Sequence, residues 1–222
     1  MSLLLPHRQL LLPKRPYLLG VSTQTSTSTP ITLNLSRWEA GVLNIAFIYR
    51  HAGGTAAPGL PTGWTSLTSS TTDPDFRLAY LFSDGSIAST ATSAATSGTS
   101  FSAIVMSFGG VHSSRIPVAG GVATATSTTP NPGVLSPSHT ASGDWVCGIA
   151  YCAWNGNGTM TEIPGGTSGT LTTRGWQVNE GTNGGCAVAI TPSVPWFSWD
   201  QSSFTLSASL VNRAGTVVVR SF

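Results

Sequence analysis

Residues 41–50 read Gly-Val-Leu-Asn-Ile-Ala-Phe-Ile-Tyr-Arg, and both faces of an extended chain with this sequence are largely apolar. The larger side chains alternate onto one face: Leu43, Ile45, Phe47 and Tyr49. A strand of this kind must be covered on both sides, which predicts a central strand of a buried sheet. The pattern returns at residues 143–152, where the large face carries Trp145, Cys147, Ile149 and Tyr151. Two such strands predict a β-sheet core.

The chain repeats the same order of features after each of these strands. A loop rich in small residues, a Pro-x-Gly turn and a Leu-Thr pair follow, and their offsets agree within two residues. We therefore expect an all-β protein, an antiparallel jelly-roll-like β-sandwich of eight to ten strands. The single domain spans 31–222 and consists of two similar halves, about 41–110 and 143–222. Two separate domains are the alternative.

In this interpretation each half contributes strands to both sheets, and strand 101–108 of the first half corresponds to 204–211 of the second. One core is expected to contain Leu43, Ile45, Phe47, Phe101, Trp145, Ile149, Tyr151 and Val188.

Residues 1–30 are expected to lie outside the sandwich, as an extended N-terminal arm followed by a Ser/Thr linker; 21–29 alternatively forms an edge strand. Prolines interrupt both leucine runs of the arm, so we expect neither a signal peptide nor membrane insertion. A frayed terminus is the alternative to a binding segment. The side chains expected to bind a partner are Leu3, Leu4, Leu5, Arg8, Leu10, Leu11, Leu12, Lys14, Arg15, Leu18 and Leu19.

Charge is sparse along the chain. Charged residues make up 8% of the sequence, the net charge is +2, and Ser and Thr account for 60 of the 222 residues. With few surface charges, electrostatic repulsion between copies of the protein is weak. This favours a protein that works inside an assembly and forms homo-oligomers. Lys and Arg do not cluster within the domain, so no nucleic acid partner is expected.

No motif for catalysis or cofactor binding occurs. The sequence lacks a nucleophile elbow, zinc-spaced histidines and a phosphate-binding glycine loop, and we expect no catalytic residue, no metal and no cofactor. Turn chemistry explains Asp73-Pro, Asp84-Gly and Gly-Asp144, and a calcium loop at Asp73 and Asp75 is the alternative for that pair. Three cysteines (Cys147, Cys152 and Cys186) are expected to be buried thiols, although a bridge between Cys152 and Cys186 stays open.

Several tryptophans lie near loops, some beside polar residues. Aromatic rings next to amides are typical of surfaces that stack on sugars, so the candidate glycan-binding residues are Trp64, Trp154, Asn155, Trp196 and Trp199. The alternative is that these rings close the ends of the sandwich.

Short motifs follow one another between residues 41 and 151. They are Gly41-Val-Leu-Asn-Ile-Ala, Pro61-Thr-Gly-Trp64-Thr, Arg77-Leu-Ala-Tyr80, Asp84-Gly, Phe101–Phe108, Gly110-Val111 and Ile116-Pro117. This order resembles a recurrent β-sandwich domain of structural proteins in tailed bacteriophages and of some bacterial surface proteins. The chain departs from it at His112, where members of that family usually have an acidic residue.

The resemblance implies a virion protein that is made in the host cytoplasm, and it implies no enzyme. We expect a non-enzymatic structural protein of a bacteriophage particle, a capsid decoration or a tail-associated component, which binds other capsid or tail proteins through its arm. A carbohydrate- or receptor-binding adhesin module that recognises host surface glycan is the first alternative. A glycan-cleaving enzyme is the second.

Overall fold

The computed structural model describes residues 15–27, 30–51, 57–86, 88–92, 100–135, 146–163, 174–179, 183–192, 199–200 and 202–221. No α-helix occurs among them. In chain order their strands are β1 (Tyr17–Ser26), β2 (Thr32–Asn34), β3 (Leu43–His51), β4 (Thr65–Ser70), β5 (Asp75–Phe82), β6 (Thr90–Thr92), β7 (Ser100–Gly109), β8 (Val118–Ala119), β9 (Ala123–Ser127), β10 (Val134–Leu135), β11 (Val146–Trp154), β12 (Met160–Glu162), β13 (Arg174–Asn179), β14 (Gly185–Thr191), β15 (Trp199–Asp200), β16 (Thr205–Leu206) and β17 (Leu210–Arg220).

Two large antiparallel sheets pack face to face. Sheet 1 has the strand order β1-β7-β3-β5-β4, and sheet 2 has the order β13-β14-β11-β17-β8, with β9 also pairing with β17. The two strands that the sequence singled out, β3 and β11, are each paired on both sides. The expected all-β class and the sandwich are confirmed.

Each half of the chain forms one sheet. The expectation that both halves contribute to both sheets is wrong, because neighbouring strands of sheet 1 come from residues 17–109 and those of sheet 2 from residues 118–220. Within each sheet, one pair of successive strands is adjacent, β4 with β5 and β13 with β14, and the other pairings join strands distant in sequence. The strand order of sheet 1 returns in sheet 2 as β9-β17-β11-β14-β13, and the small sheet β2-β6 returns as β10-β15.

The central core lies between the sheets. Phe47 and Tyr151 face each other across it with ring centroids 5.0 Å apart, and Phe76 packs against both rings. The predicted core residues found here are Leu43, Ile45, Phe47, Ile149, Tyr151 and Val188. Trp145 lies outside the described residues. The prediction is wrong for Phe101, which faces the other side of sheet 1 because alternation along β7 places Ile104 and Met106 inward.

The outer face of each sheet is also covered. Ile31, Leu33 and Leu35 pack on sheet 1, while Met160, Phe204 and Leu206 pack on sheet 2. This cover explains why both β3 and β11 are apolar on both faces, since each strand is buried between two layers of side chains.

The last strand was misplaced in the sequence analysis. Residues 210–220, rather than 204–211, pair with β11 as β7 pairs with β3. Gly215 interrupts the apolar alternation there because its backbone lies against the Tyr151 ring, and a Cβ at that position would clash with the phenol. Val217 and Val219 then face the central core.

The N-terminal boundary also needs correction. Residues 17–26 form β1 and pair along the whole length of β7, so they are an edge strand of the sandwich and not part of an arm or linker. Residues 1–14, which carry the rest of the predicted arm, lie outside the described residues.

Candidate functional site

The sandwich has two ends with different chemistry. Cross-strand pairing brings Leu43, Phe82 and Phe108 together at one end of sheet 1, and Arg50, Asp75 and Phe101 together at the other. We call the first the apolar end, which comprises residues 15–17, 37–43, 82–86 and 108–117. The second is the polar end, which comprises residues 49–50, 70–75, 153–155, 183–185 and 211–213.

The described chain begins at the apolar end. Tyr17 pairs with Gly109, and its ring covers Gly109 and Gly110. Gly110 has a φ of +72°, and a Cβ there would clash with the carbonyl oxygen of Arg15. Position 110 therefore requires glycine, because Arg15 packs against it. Segment 1–14 is attached to the sandwich at this end.

The arm residues closest to the sandwich are part of it. Leu18 pairs with Phe108 and packs against the central core, and Leu19 lies at the register shift between Leu18 and Gly20, half-buried. Leu18 and Leu19 are therefore partly covered by the sandwich, and their partner-binding role stays a prediction. Arg15 is exposed. The remaining candidates are Leu3, Leu4, Leu5, Arg8, Leu10, Leu11, Leu12 and Lys14, which lie outside the described residues.

Exposed apolar side chains concentrate at the apolar end. Five large hydrophobic residues are exposed in the described chain, and three of them are here: Tyr17 (54% exposed), Trp38 (42%) and Ile116 (51%). Backbone bonds fix the loop that carries Trp38, since Gly41 donates to the Ser83 carbonyl at 2.8 Å and the Ser83 hydroxyl donates to the Trp38 carbonyl. The exposed apolar side chains are thus held in place.

A pocket of about 460 Å³ opens at the same end. Phe82 and Val111 give it apolar walls, and Asp84 and His112 contribute polar groups. The hydroxyl and backbone N–H of Ser86 donate to Asp84 and lower the pKa of its carboxyl. Nδ1 of His112 lies 2.6 Å from the Ser114 hydroxyl. The pocket is therefore mainly apolar with a polar rim.

At the polar end, charged groups are buried and partnered. Arg50 and Asp75 form an ion pair directly across β3 and β5, and both side chains are 0% exposed. Removing two charges from water is expensive, so such a pair persists only where geometry satisfies it. Neither group is accessible to a ligand.

Hydrogen bonds join the two sheets at this end. Asn155 of sheet 2 donates to the carboxylate of Asp73, and Tyr49 donates its hydroxyl proton to the Asn183 carbonyl at 3.3 Å. Arg213 donates to the Thr72 carbonyl at 3.1 Å and also to the Thr72 hydroxyl. These bonds fasten sheet 1 to sheet 2.

Asp73 and Asp75 do not provide an acid–base pair. Burial raises the pKa of Asp73, opposed by the hydrogen bond from Asn155, and the nearby Asp75 raises it further. A carboxyl with a raised pKa near a second carboxylate is typical of acid catalysis. Here Asn155 occupies one oxygen of Asp73, the other is buried, and Asp75 is fully buried against Arg50. The arrangement serves stability.

The three cysteines are free and buried, as predicted. Burial raises the pKa of Cys147 to about 12 and raises those of Cys152 and Cys186 as well, so none supplies a thiolate near neutral pH. Within the described residues, no group of three or more His, Cys, Asp or Glu side chains is placed to hold a metal. The same part of the chain contains no helix long and apolar enough to cross a membrane.

Among the glycan-binding candidates that the structure describes, Trp154 and Asn155 are engaged within the protein. Trp154 is fully buried, and its indole N–H donates to the Gly158 carbonyl at 2.9 Å, while Asn155 is engaged by Asp73. Their assignment is corrected, because a ring must present a face to solvent to stack on a sugar. Trp64 is 7% exposed beside a pocket of about 320 Å³. Trp199 lies in β15, and Trp196 lies outside the described residues.

Comparisons with protein-family models, curated proteins and solved structures give no match for this chain. The resemblance to phage sandwich domains therefore stays an expectation from the motifs.

Two features of the ends escaped the sequence analysis. Trp38 stands alone between Ser36-Arg37 and Glu39, just before a central strand, and an isolated tryptophan in a polar turn is a signal that could have been used. The Arg50–Asp75 pair joins residues that are 25 positions apart, and only the register of β3 and β5 places them opposite each other.

Proposed function

We propose that this protein is a non-enzymatic structural component of a bacteriophage particle, a capsid decoration or a tail-associated protein, which is held in place by residues 1–14. The observation that carries the proposal is the position of Arg15. The leucine-rich segment joins the sandwich at the apolar end, beside Tyr17, Trp38 and Ile116, where apolar side chains are exposed.

The composition of the segment supports a role in attachment. It contains six leucines at positions 3, 4, 5, 10, 11 and 12, interrupted by Pro6 and Pro13. Fully burying a leucine side chain contributes about 1.5–3 kcal/mol, so these residues gain most by lying on a partner's surface. The prolines oppose a helix and favour an extended segment that spreads the leucines along that surface.

The rest of the molecule supports a scaffold role. The Arg50–Asp75 ion pair and most of the large aromatic rings among the described residues are buried in the sandwich, and the polar end is fastened by bonds between the sheets. A rigid sandwich with few surface charges suits a protein surrounded by neighbours in an assembly. The partners in this proposal are other virion proteins and further copies of the chain, and the location is the virion.

The test is occupancy on particles. We would purify phage particles from lysates of the strain that encodes the protein and quantify the chain by mass spectrometry. Wild-type protein is expected in many copies per particle. A full-length variant with all six leucines changed to Ser should fold with an unchanged circular dichroism spectrum but fall at least tenfold in occupancy.

A matched variant with the same six leucines changed to Met keeps the apolar surface and should bind normally. Absence of the wild-type protein from purified particles would refute the structural role. Normal occupancy of the Ser variant would refute attachment through residues 1–14 and place the attachment surface on the sandwich itself.

A further inference from the structure

The apolar end exposes a surface that matches the chemistry of the segment attached beside it. Tyr17, Trp38 and Ile116 are exposed there, and the pocket of about 460 Å³ adds Phe82 and Val111. Large exposed apolar side chains gathered in one area mark interaction sites, whereas scattered ones need no explanation. The other two exposed large hydrophobic residues of the described chain, Val134 and Val211, lie elsewhere.

The position of Arg15 indicates what binds to this surface. Arg15 lies against Gly110, the residue that precedes pocket residues Val111 and His112. A chain extends about 3.3–3.6 Å per residue, so Leu12 lies within about 10 Å of Arg15 and Leu10 within about 17 Å. Leu10, Leu11 and Leu12 are thus within reach of this surface and of a neighbouring molecule that contacts it.

The direction of β1 favours a neighbouring copy over the same copy. β1 starts at Tyr17, paired with Gly109 at the end of β7, so a straight continuation towards lower residue numbers leaves the sandwich. Arg15 and Leu12 each precede a proline, and residues before proline favour extended conformations. A segment that stays extended at these positions is better suited to reach a neighbouring copy than to fold back on its own pocket.

We propose that residues 3–12 of one copy dock on the apolar end of a second copy. Because the donor segment and the receiving surface are at the same end, two copies that face each other through their apolar ends can exchange segments. The result is a closed two-fold dimer with the same contact made twice. This inference rests on the proposed attachment role of residues 1–14 and names a second copy of the chain as the partner.

The test uses sedimentation velocity of the full chain at micromolar concentration. The wild type is expected to sediment with twice the mass of one 22.9 kDa chain. A segment variant, with Leu10, Leu11 and Leu12 changed to Ser, should be monomeric, and so should a surface variant that carries Trp38→Gln and Ile116→Glu. Circular dichroism and thermal unfolding verify that both variants fold. If the double variant does not fold, the single variant Ile116→Glu replaces it as the surface variant.

Mixing the two variants is the decisive arm of the test. Each retains what the other lacks, so the mixture should regain dimers joined through one segment and one intact surface. A monomeric wild type, a segment variant that still dimerises, or a mixture that stays monomeric would overturn the proposal. Particle occupancy is measured separately, so a monomeric chain that still joins particles refutes the exchange without refuting the proposed function.

Discussion

At the polar end Arg50 and Asp75 are fully buried and paired, whereas at the apolar end Trp38 and Ile116 leave about half of their surfaces in water. The same strands, β3 and β5, supply both ends. The polar end thus hides a charge pair, and the apolar end exposes large apolar side chains beside an exposed ion pair of Arg37 and Glu39.

The two ends therefore have different roles in the molecule. Buried charges that bond to each other or across the sheets fix the relative position of those sheets, and substitutions there should change stability. Exposed apolar side chains contribute little to the isolated fold. Substitutions there should change association and leave stability almost intact.

The largest expected effect is at Asp75. Asp75→Ala leaves Arg50 as a buried charge without its carboxylate and should cost about 3–5 kcal/mol of unfolding free energy, measured by urea denaturation. Asp84→Ala at the apolar end is the matched control and should leave the urea midpoint nearly unchanged, because the side chain is exposed. Equal effects at the two aspartates would contradict the contrast between the ends.

A smaller loss is expected at Asn155. Its amide joins sheet 2 to Asp73 of sheet 1, and Asn155→Ala should cost about 1–3 kcal/mol because a partly buried carboxylate loses its donor. Asn157→Ala, at an exposed position in the same loop, is the control and should be nearly neutral. If the two variants unfold at the same urea concentration, the bond to Asp73 does not fasten the sheets.

The two ends should also respond to pH with opposite signs. The pKa of Asp73 is raised above its ordinary 3.8, chiefly by burial, so the folded state holds a proton that the unfolded state has released. Its contribution to stability is present below that value and is lost as the pH rises through the folded pKa. The pKa of Asp84 is lowered by its bonds to Ser86, so its contribution is present at higher pH and is lost as the pH falls.

Unfolding free energies of wild type, Asp73→Asn and Asp84→Asn between about pH 3 and pH 7 measure both contributions. Subtracting each variant's curve from that of the wild type should give slopes of opposite sign. Slopes of the same sign would show that one of the two environments is misassigned.

The smallest effect on stability is expected at Ile116. Ile116→Ser should alter the unfolding free energy by no more than about 0.5 kcal/mol, because the side chain is half exposed in a connecting loop. Ile149→Ser in the central core should cost several times more, since it both leaves a cavity and buries a hydroxyl. A large loss at Ile116 would mean that the apolar end is needed for folding.

Local pattern was sufficient for part of the fold. β3 and β11 were predictable because both of their faces are apolar, and that pattern is specific to a strand covered on two sides. Phe101 was assigned to the wrong core because alternation shows that a strand has two faces but not which face looks inward. β17 was displaced because Gly215, which makes room for Tyr151, breaks the apolar run.

The site was harder to predict than the fold. The leucines and prolines of residues 1–14 indicate a binding segment, yet the surface beside it depends on how three loops, near Trp38, Asp84 and Ile116, meet at one end of the sandwich. Trp154 looked available for a ligand because it stands beside a loop. Its burial depends on the distant strands β12 and β16, whose Met160 and Leu206 pack in the same cluster.

Hydrogen–deuterium exchange of the full-length protein, diluted until it is monomeric in solution and bound on purified particles, distinguishes attachment at the apolar end from attachment elsewhere on the sandwich. Attachment through residues 1–14 and the apolar end predicts slower amide exchange on the particle in residues 3–20, 37–42 and 110–117. Exchange at the polar end, in residues 70–76 and 153–158, should be unchanged. Protection confined to the polar end, or spread over the outer faces of the sheets with none at the apolar end, would contradict attachment at the apolar end.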